Sequence, residues 1–553
     1  MRILRGDGGR FAEGSAKILS IALIVYWGLF ALLAPVTNWD SQVYNLGRLP
    51  IASLGGLFGN PFWTTPRQLM FPWTFDAIHL PLLSLGFGYG LPSYLCLLGV
   101  LEVAWSYLAG NHGRDAGWMG VLGLLALPTL VFQAVITKND IPVLFGVAVW
   151  FHAMRLWRKD GRTFHLAFSA LAIGFACGSK TTGIVPGCLC FGVSCWELCP
   201  FRSKLRAFLS ATLVSGILFG SVETYAASYQ RYGHPMGPED IVRDNANHDG
   251  ARGAVANAIR YAFGNIDLGV EEWQAPDRLT PLLETTCRRW LSILSLTNAG
   301  CRSDFSDKRL EFLKNNGDSG SGYGLAGFAG LLVLFLAAFW WRTGDDWWRM
   351  CAFGGTVATG ICCTVAWMEW NDRFLMVPFA IFTLALVSLV YRCLAGNKWA
   401  IGTLVLLFAY SAVAGPLLSF NKRPGDLVSC LMDRRRQEFK ERPFMFSVFE
   451  AERTWCATHP RDRLYLLAGV DSWVLPFLTP PNRFVLPVGI DTTPAELKAI
   501  LGRGPPAGLL VLDRTDFNPS GLPLTEIQSF PGKPGTNLFE VIRGKPNSLG
   551  PSR

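Results

Sequence analysis

KILSIALIVYWGLFALLAP, residues 17–35, is the stretch whose reading decides the class of this chain. From Ile18 to Pro35 it carries no charge, and crossing a bilayer as a helix takes roughly 20 mostly apolar residues. Ten further stretches read the same way: about 90–110, 117–136, 141–157, 164–178, 182–199, 207–226, 323–341, 350–368, 374–391 and 399–418. Several contain Gly or Pro, which membrane helices tolerate. Half of the 553 residues are hydrophobic and only 16% are charged, against about 25% in soluble domains. That balance excludes a disordered chain, a nucleic-acid-binding arm, a coiled coil and a small disulfide scaffold. The expectation is a polytopic α-helical membrane protein with about eleven spans. No small-x-small cleavage site follows the first span before Trp39, so that span is read as an uncleaved anchor.

Orientation follows from Lys and Arg in the short loops. One side holds Arg2, Arg5, Arg10 and Lys17, then Arg114, Arg155, Arg158, Lys159 and Arg162. It continues with Arg202, Lys204, Arg206, Arg342, Arg349, Arg392 and Lys398. The short loops opposite hold only Lys138, Lys180 and Arg373. The net charge of +9 is thus a topology signal, and the first side is cytoplasmic. Residues 1–418 read as the membrane domain, with outer loops 36–89 and 227–322. Two amphipathic helices are expected along the outer interface within 41–89. Residues 419–553 read as a C-terminal α/β domain, periplasmic if the membrane is a bacterial inner membrane. Strands are expected at 463–469, 483–488, 507–513 and 538–542. Thr493-Pro494-Ala495-Glu496 is a capping box with Pro in the first turn, and Gly502 closes that helix. No internal repeat is found.

The chain has no GxxxxGKS loop, no HExxH and no paired CxxC. Its ionisable residues instead gather where spans meet outer turns: Trp39-Asp40-Ser41-Gln42-Val43-Tyr44, Thr137-Lys138-Asn139-Asp140, Gly178-Ser179-Lys180-Thr181 and Glu369-Trp370-Asn371-Asp372-Arg373. Charges concentrated at one interface of a bundle are functional candidates. Trp39-Asp40 with Tyr44 and Arg48 resembles the first outer loop of the membrane-embedded GT-C glycosyltransferases. These include the dolichyl-phosphate-mannose–protein mannosyltransferases and the bacterial aminoarabinose–lipid A transferase. Pro66-Arg67-Gln68-Leu69 with Pro72-Trp73 is similar to the second half of that loop. Lys138-Asn139-Asp140, Gly178-Ser179-Lys180, Tyr232-Gly233-His234-Pro235-Met236-Gly237-Pro238 and Trp370-Asn371-Asp372-Arg373-Phe374 fit later blocks. The resemblance covers roughly 18–400. Family members often carry His or Lys late in the first loop, where this chain offers Arg67 and His79.

The resemblance implies a GT-C-like fold, and transfer of a sugar from a polyprenyl-phosphate donor to a glycan, lipid or protein acceptor on the outer face, without nucleic acid. An acceptor hydroxyl needs a carboxylate to take its proton. A lipid phosphate leaves as an anion, so cations must hold it rather than a second carboxyl protonate it. Asp40 is the base candidate, against a plain loop anchor near the headgroups. Asp140 would position the acceptor or a divalent metal, against a helix N-cap. Lys180, Arg67, Arg373 and Lys138 would bind donor phosphate, against headgroup contacts and loop ion pairs. Tyr44, His79, Glu223 and Asp372 are further site candidates. Asp76 and His79 at i, i+3 could share a metal, although a satisfied interfacial pair explains them as well. Glu102, inside a span, reads as structural, and His234 and His248 as solvated loop residues. A lipid-linked-saccharide flippase or transporter is the alternative class, but it favours ionisable groups at midplane and repeated halves. An envelope assembly scaffold is a third reading, in which Asp40 would be dispensable.

Ten of the 14 cysteines lie in or beside spans and pack like small apolar residues. Cys287, Cys301, Cys430 and Cys456 fall in outer segments, on the oxidising side. Nearest-neighbour pairing would join Cys287 to Cys301 and Cys430 to Cys456; three connectivities are open. Non-reducing peptide mapping should find these four protected from alkylation, and four freely alkylating thiols would refute either the bonds or the outside placement. A reporter fused after Phe420 should be active only outside the cytoplasm; cytoplasmic activity would reverse the orientation of every outer turn.

Overall fold

The computed structural model describes residues 7–38, 40–59, 63, 65–85, 87–266, 279–302, 323–339, 346–368, 371–394, 397–418, 424–433, 443–459, 463–467, 485–488, 492–503, 508–513, 522, 524–529 and 536–541. Trp39, Glu369 and Trp370 of the outer motifs lie outside them, as does the side chain of Cys456.

Helices follow the apolar stretches. Gly14–Leu33, Leu91–His112 and Asn371–Leu394 are long and apolar enough to cross a membrane. The helix through residues 17–35 buries Leu23, Trp27, Phe30 and Ala31 and exposes Ile18, Ile21, Val25, Leu29 and Leu32. A helix apolar on both faces is one whose outer face meets hydrocarbon rather than water. Met376–Leu394 is the central helix; it packs on Leu91–His112, Arg114–Leu125, Asp140–Asp160, Gly324–Phe339, Asp346–Thr364 and Lys398–Leu418.

Two expected spans are broken rather than continuous. The one read at 117–136 is the pair Arg114–Leu125 and Pro128–Ala134, bent by 77°. Pro128 supplies no N–H and starts the second half, while the Ser411 hydroxyl donates to the Ala126 carbonyl left at the break, at 2.7 Å. The one read at 207–226 is Arg202–Phe219 and Val222–Tyr232, bent by 57°. Here Gly220 is followed by Ser221 in the left-handed region at φ 53°. The count of eleven therefore rests on pairing half-helices and on shorter apolar helices such as Thr163–Ser179.

The first outer loop also differs from two amphipathic helices. Its described residues form short pieces: a π-turn at Ser41–Leu46, then Arg48–Gly55, Arg67–Met70, a 3₁₀ turn at Asp76–His79, and Leu80–Leu85. Gly56, Pro61, Pro66, Pro72 and Pro81 punctuate the loop too often for longer helices. In the tail, β1 (Arg463–Leu467), β2 (Val485–Val488), β3 (Gly508–Asp513), β4 (Leu524–Ser529) and β5 (Thr536–Val541) form one sheet in the order β2-β1-β3-β5-β4. The first three are parallel and the last two join antiparallel. β4 was not read from sequence; its Glu526/Gln528 irregularity breaks the alternation. The capping box forms: Thr493 N donates to Glu496 Oε2 at 2.8 Å, and Glu496 N to Thr493 Oγ1 at 3.3 Å.

Thr163–Ser179 packs on both Asp140–Asp160 and Arg202–Phe219. Gly174 and Gly178 allow the second approach. A Cβ on Gly178 would lie 1.7 Å from the Phe219 carbonyl oxygen, and one on Gly174 would lie 2.1 Å from Ser215 Oγ. Small residues four apart let backbones come this close. Gly178→Ala should destabilise the purified protein by about 1–3 kcal/mol, the usual range for overpacking. Gly192→Ala, which meets nothing within 4 Å, is the neutral control. Equal thermal midpoints for the two variants would refute this packing.

Candidate active site

The site begins with the π-turn. Asp40 precedes it with helical φ and ψ, and the wider turn sets Tyr44 beneath Asp40, so the phenol donates to the carboxylate. Two cations close on the same group. Arg373 Nη1 is 2.9 Å from Asp40 Oδ2, and Lys138 Nζ is 3.3 Å away. Burial by itself would raise the Asp40 pKa, but Lys138, Arg373, the Tyr44 hydrogen bond and Lys180 outweigh it and hold the carboxyl well below the usual range. Burial, then the charge of Asp40, pushes the Tyr44 phenol far above its ordinary value, so it stays a neutral donor.

A second ion pair stands beside the first. Lys180 Nζ is 2.5 Å from Asp140 Oδ1 and lies over the Phe374 ring at 4.4 Å. Burial lowers Lys180 to about 8 despite the attraction of Asp140. Asp140 is the first residue of its helix and Asn139 the cap position, so the N-cap reading of Asp140 does not hold. Asp140 Oδ2 and Arg373 Nε are buried without a hydrogen-bond partner. Both residues line a small cleft with Thr182 on the polar side and Val143, Pro186, Ile361, Phe374 and Val377 on the apolar side.

Sequence reasoning missed what holds these pairs. Arg48 and Asp76 form a buried ion pair, 2% and 0% exposed. Arg48 also donates to the Phe71 and Pro72 carbonyls, each at 2.6 Å, tying the loop's two halves. Burial pushes Asp76 up to about 6 against the opposing pull of Arg48, Asn45 and Asn139. Asn45 Nδ2 donates to Asp76 Oδ1 at 3.1 Å and Asn139 Oδ1 at 3.0 Å, and Asn139 Nδ2 donates to the Ser179 carbonyl at 2.8 Å. Ser221 Oγ accepts from the Trp73 and Thr74 amides at 3.1 Å and donates to the Gly178 carbonyl at 2.9 Å. The break in the 202–232 pair is thus the knot joining the first loop to the Lys180 turn. Its only sequence signal was Gly-Ser inside an apolar run.

The remaining candidates sit elsewhere. Glu223 accepts from Trp73 Nε1 at 2.6 Å. His79 is wholly buried; burial lowers it to about 4, and its Nδ1 faces the Asp76 carbonyl at 3.3 Å rather than the Asp76 carboxylate. Asp372 offers its carbonyl to the Tyr323 hydroxyl at 2.9 Å. Arg67, half-buried, acts electrostatically on Tyr44. Cys287 and Cys430 are buried, and Cys301 Sγ lies 3.6 Å from the Asn298 carbonyl. No group of three metal-ligating side chains occurs among the described residues.

No family model matches the chain, and no curated protein matches it in sequence. Among solved structures it is similar to ArnT from Cupriavidus metallidurans bound to undecaprenyl phosphate: 14% identity, TM-score 0.41, covering 97% of this chain and 99% of that one. The apo state of the same protein gives 14%, 0.40, 95% and 98%. An oligosaccharyltransferase from Archaeoglobus fulgidus, in complex with zinc and sulfate, gives 12%, 0.38, 90% and 68%.

Proposed function

We propose that this chain is an integral-membrane glycosyltransferase that moves a sugar from a polyprenyl-phosphate donor to an outer-face acceptor, with inversion. The observation that carries the reading is the pairing of Asp40 with Lys138 and Arg373 beside the Asp140–Lys180 pair, at a cleft charged on one side and apolar on the other. That division suits an amphiphile whose anionic head meets cations while its chain follows hydrocarbon. Lys180, Arg373 and Lys138 would hold the phosphate and, with Arg67 nearby, neutralise the charge that grows on it as the glycosidic bond breaks. Asp140, with one oxygen unpartnered, would orient a hydroxyl.

A carboxylate held far below its ordinary pKa is a weak base. Asp40 is held there by cations that a phosphate would also claim. Donor binding therefore draws Lys138 and Arg373 away from Asp40 and raises its proton affinity, so the base becomes competent only with donor in place. The acceptor oxygen then bonds to the anomeric carbon, its proton passes to Asp40, and the bond to phosphate breaks with the electron pair leaving on the phosphate oxygen. The bent helix pairs would also suit a transporter, but the charged residues of the site lie at turns between helices rather than at either break.

Asp40→Asn should lower envelope glycan output in complemented cells by about two to four orders of magnitude, while polyprenyl phosphate binds the purified protein at least as tightly. Near-normal output would rule out Asp40 as the base. Lys180→Ala should instead weaken polyprenyl phosphate binding. Because Lys180 loses its charge as pH rises through about 8, wild-type binding should fall across that interval, and the alanine variant should lack that part of the fall. Identical pH profiles would remove Lys180 from the phosphate site.

A further inference from the structure

Asn139 stands between the cation and the acid of the site's shortest turn: Lys138 reaches Asp40, and Asp140 reaches Lys180. Its own side chain reaches neither pair. It spans two other elements instead, accepting from Asn45 Nδ2 at 3.0 Å on the first-loop side and donating to the Ser179 carbonyl at 2.8 Å on the Lys180 side. Its amide also hydrogen-bonds Asp76, which Arg48 and Asn45 hold from the other direction. Asn45, Asp76 and Asn139 are all buried.

We propose that Asn139 is a positioning residue whose amide sets the spacing between the Asp40–Lys138 and Asp140–Lys180 pairs. The proposal rests on the glycosyltransferase reading for its consequence but not for its geometry. An amide is required because the position must accept on one side and donate on the other. A carboxylate would turn a second acceptor toward both the Ser179 carbonyl and Asp76, and an aliphatic side chain would leave buried partners unpaired. The two contacts serve different halves of the site. The Asn45 contact ties the turn to the π-turn that carries Asp40. The Ser179 contact ties it to the residue before Lys180.

The two halves should therefore fail separately. In Asn45→Ala the Ser179 contact persists, so polyprenyl phosphate binding to the purified protein in nanodiscs should stay within about twofold of wild type. Glycan output in complemented cells should fall at least tenfold. In Asn139→Ala both should fall at least tenfold. A cycle of thermal midpoints needs no ligand: Asn139→Ala and Lys180→Ala do not remove a shared contact, yet their losses should be non-additive by about 2 °C or more. Additive midpoints, or equal proportional loss of binding and output in both variants, would overturn the assignment and leave Asn139 a packing residue. If wild type binds no polyprenyl phosphate, the donor reading fails, and the midpoint cycle alone still decides the positioning role.

Discussion

A charge withdrawn from water must be paired or be neutralised, and one rim of this bundle withdraws several at once. Asp40, Asp140, Lys138, Lys180 and Arg373 are all buried or nearly so, on turns from four separate stretches of chain. Each is tolerable only because another is within ion-pair distance. The turns must therefore keep their spacing, and the polar side chains behind them, Asn45, Asn139, Arg48, Asp76 and Ser221, are engaged in doing so.

The same constraint explains how the broken helices persist. A helix interrupted in an apolar surrounding exposes backbone groups that lipid cannot satisfy. Ser411 takes up the carbonyl at one break, and the Thr74 hydroxyl donates to the Phe219 carbonyl at the other, at 3.0 Å. Asn247 and Asn257 donate to the Cys362 and Val365 carbonyls at the end of Asp346–Thr364. Those carbonyls are ones a helix end leaves without partners. Arg260, fully buried, donates to the Ala299 carbonyl at 2.6 Å and lies over Trp367, so the 227–302 segment is fastened at the helix that contributes Val357 and Ile361 to the cleft.

Ion pairing also bears on chemistry. Paired charges hold one another in place, although Asp140 Oδ2 and Arg373 Nε keep no hydrogen-bond partner of their own. Under the proposed function, a ligand with its own anionic head would compete for the cations and free the acid, so that binding and activation would draw on the same groups.

Local sequence determined which residues are apolar in runs, hence where helices form, and which charges stand at the ends of those runs. Those are properties of short windows, set by side-chain transfer energies and by Pro and Gly. For that reason Asp40, Lys138, Asp140, Lys180 and Arg373 could be singled out one by one. The capping box at Thr493 was legible for the same reason, as its hydrogen bonds span three residues. Tertiary structure alone decided the pairing, Arg373 with Asp40 rather than with Asp140, and Lys180 with Asp140 across 40 positions. It also decided that Glu223 serves Trp73, that Arg48 is buried on Asp76, and that a Gly-Ser step inside an apolar run is a junction. Each of these depends on which helix faces which, and that is set by close packing such as Gly178 against Phe219, which no single window of sequence contains.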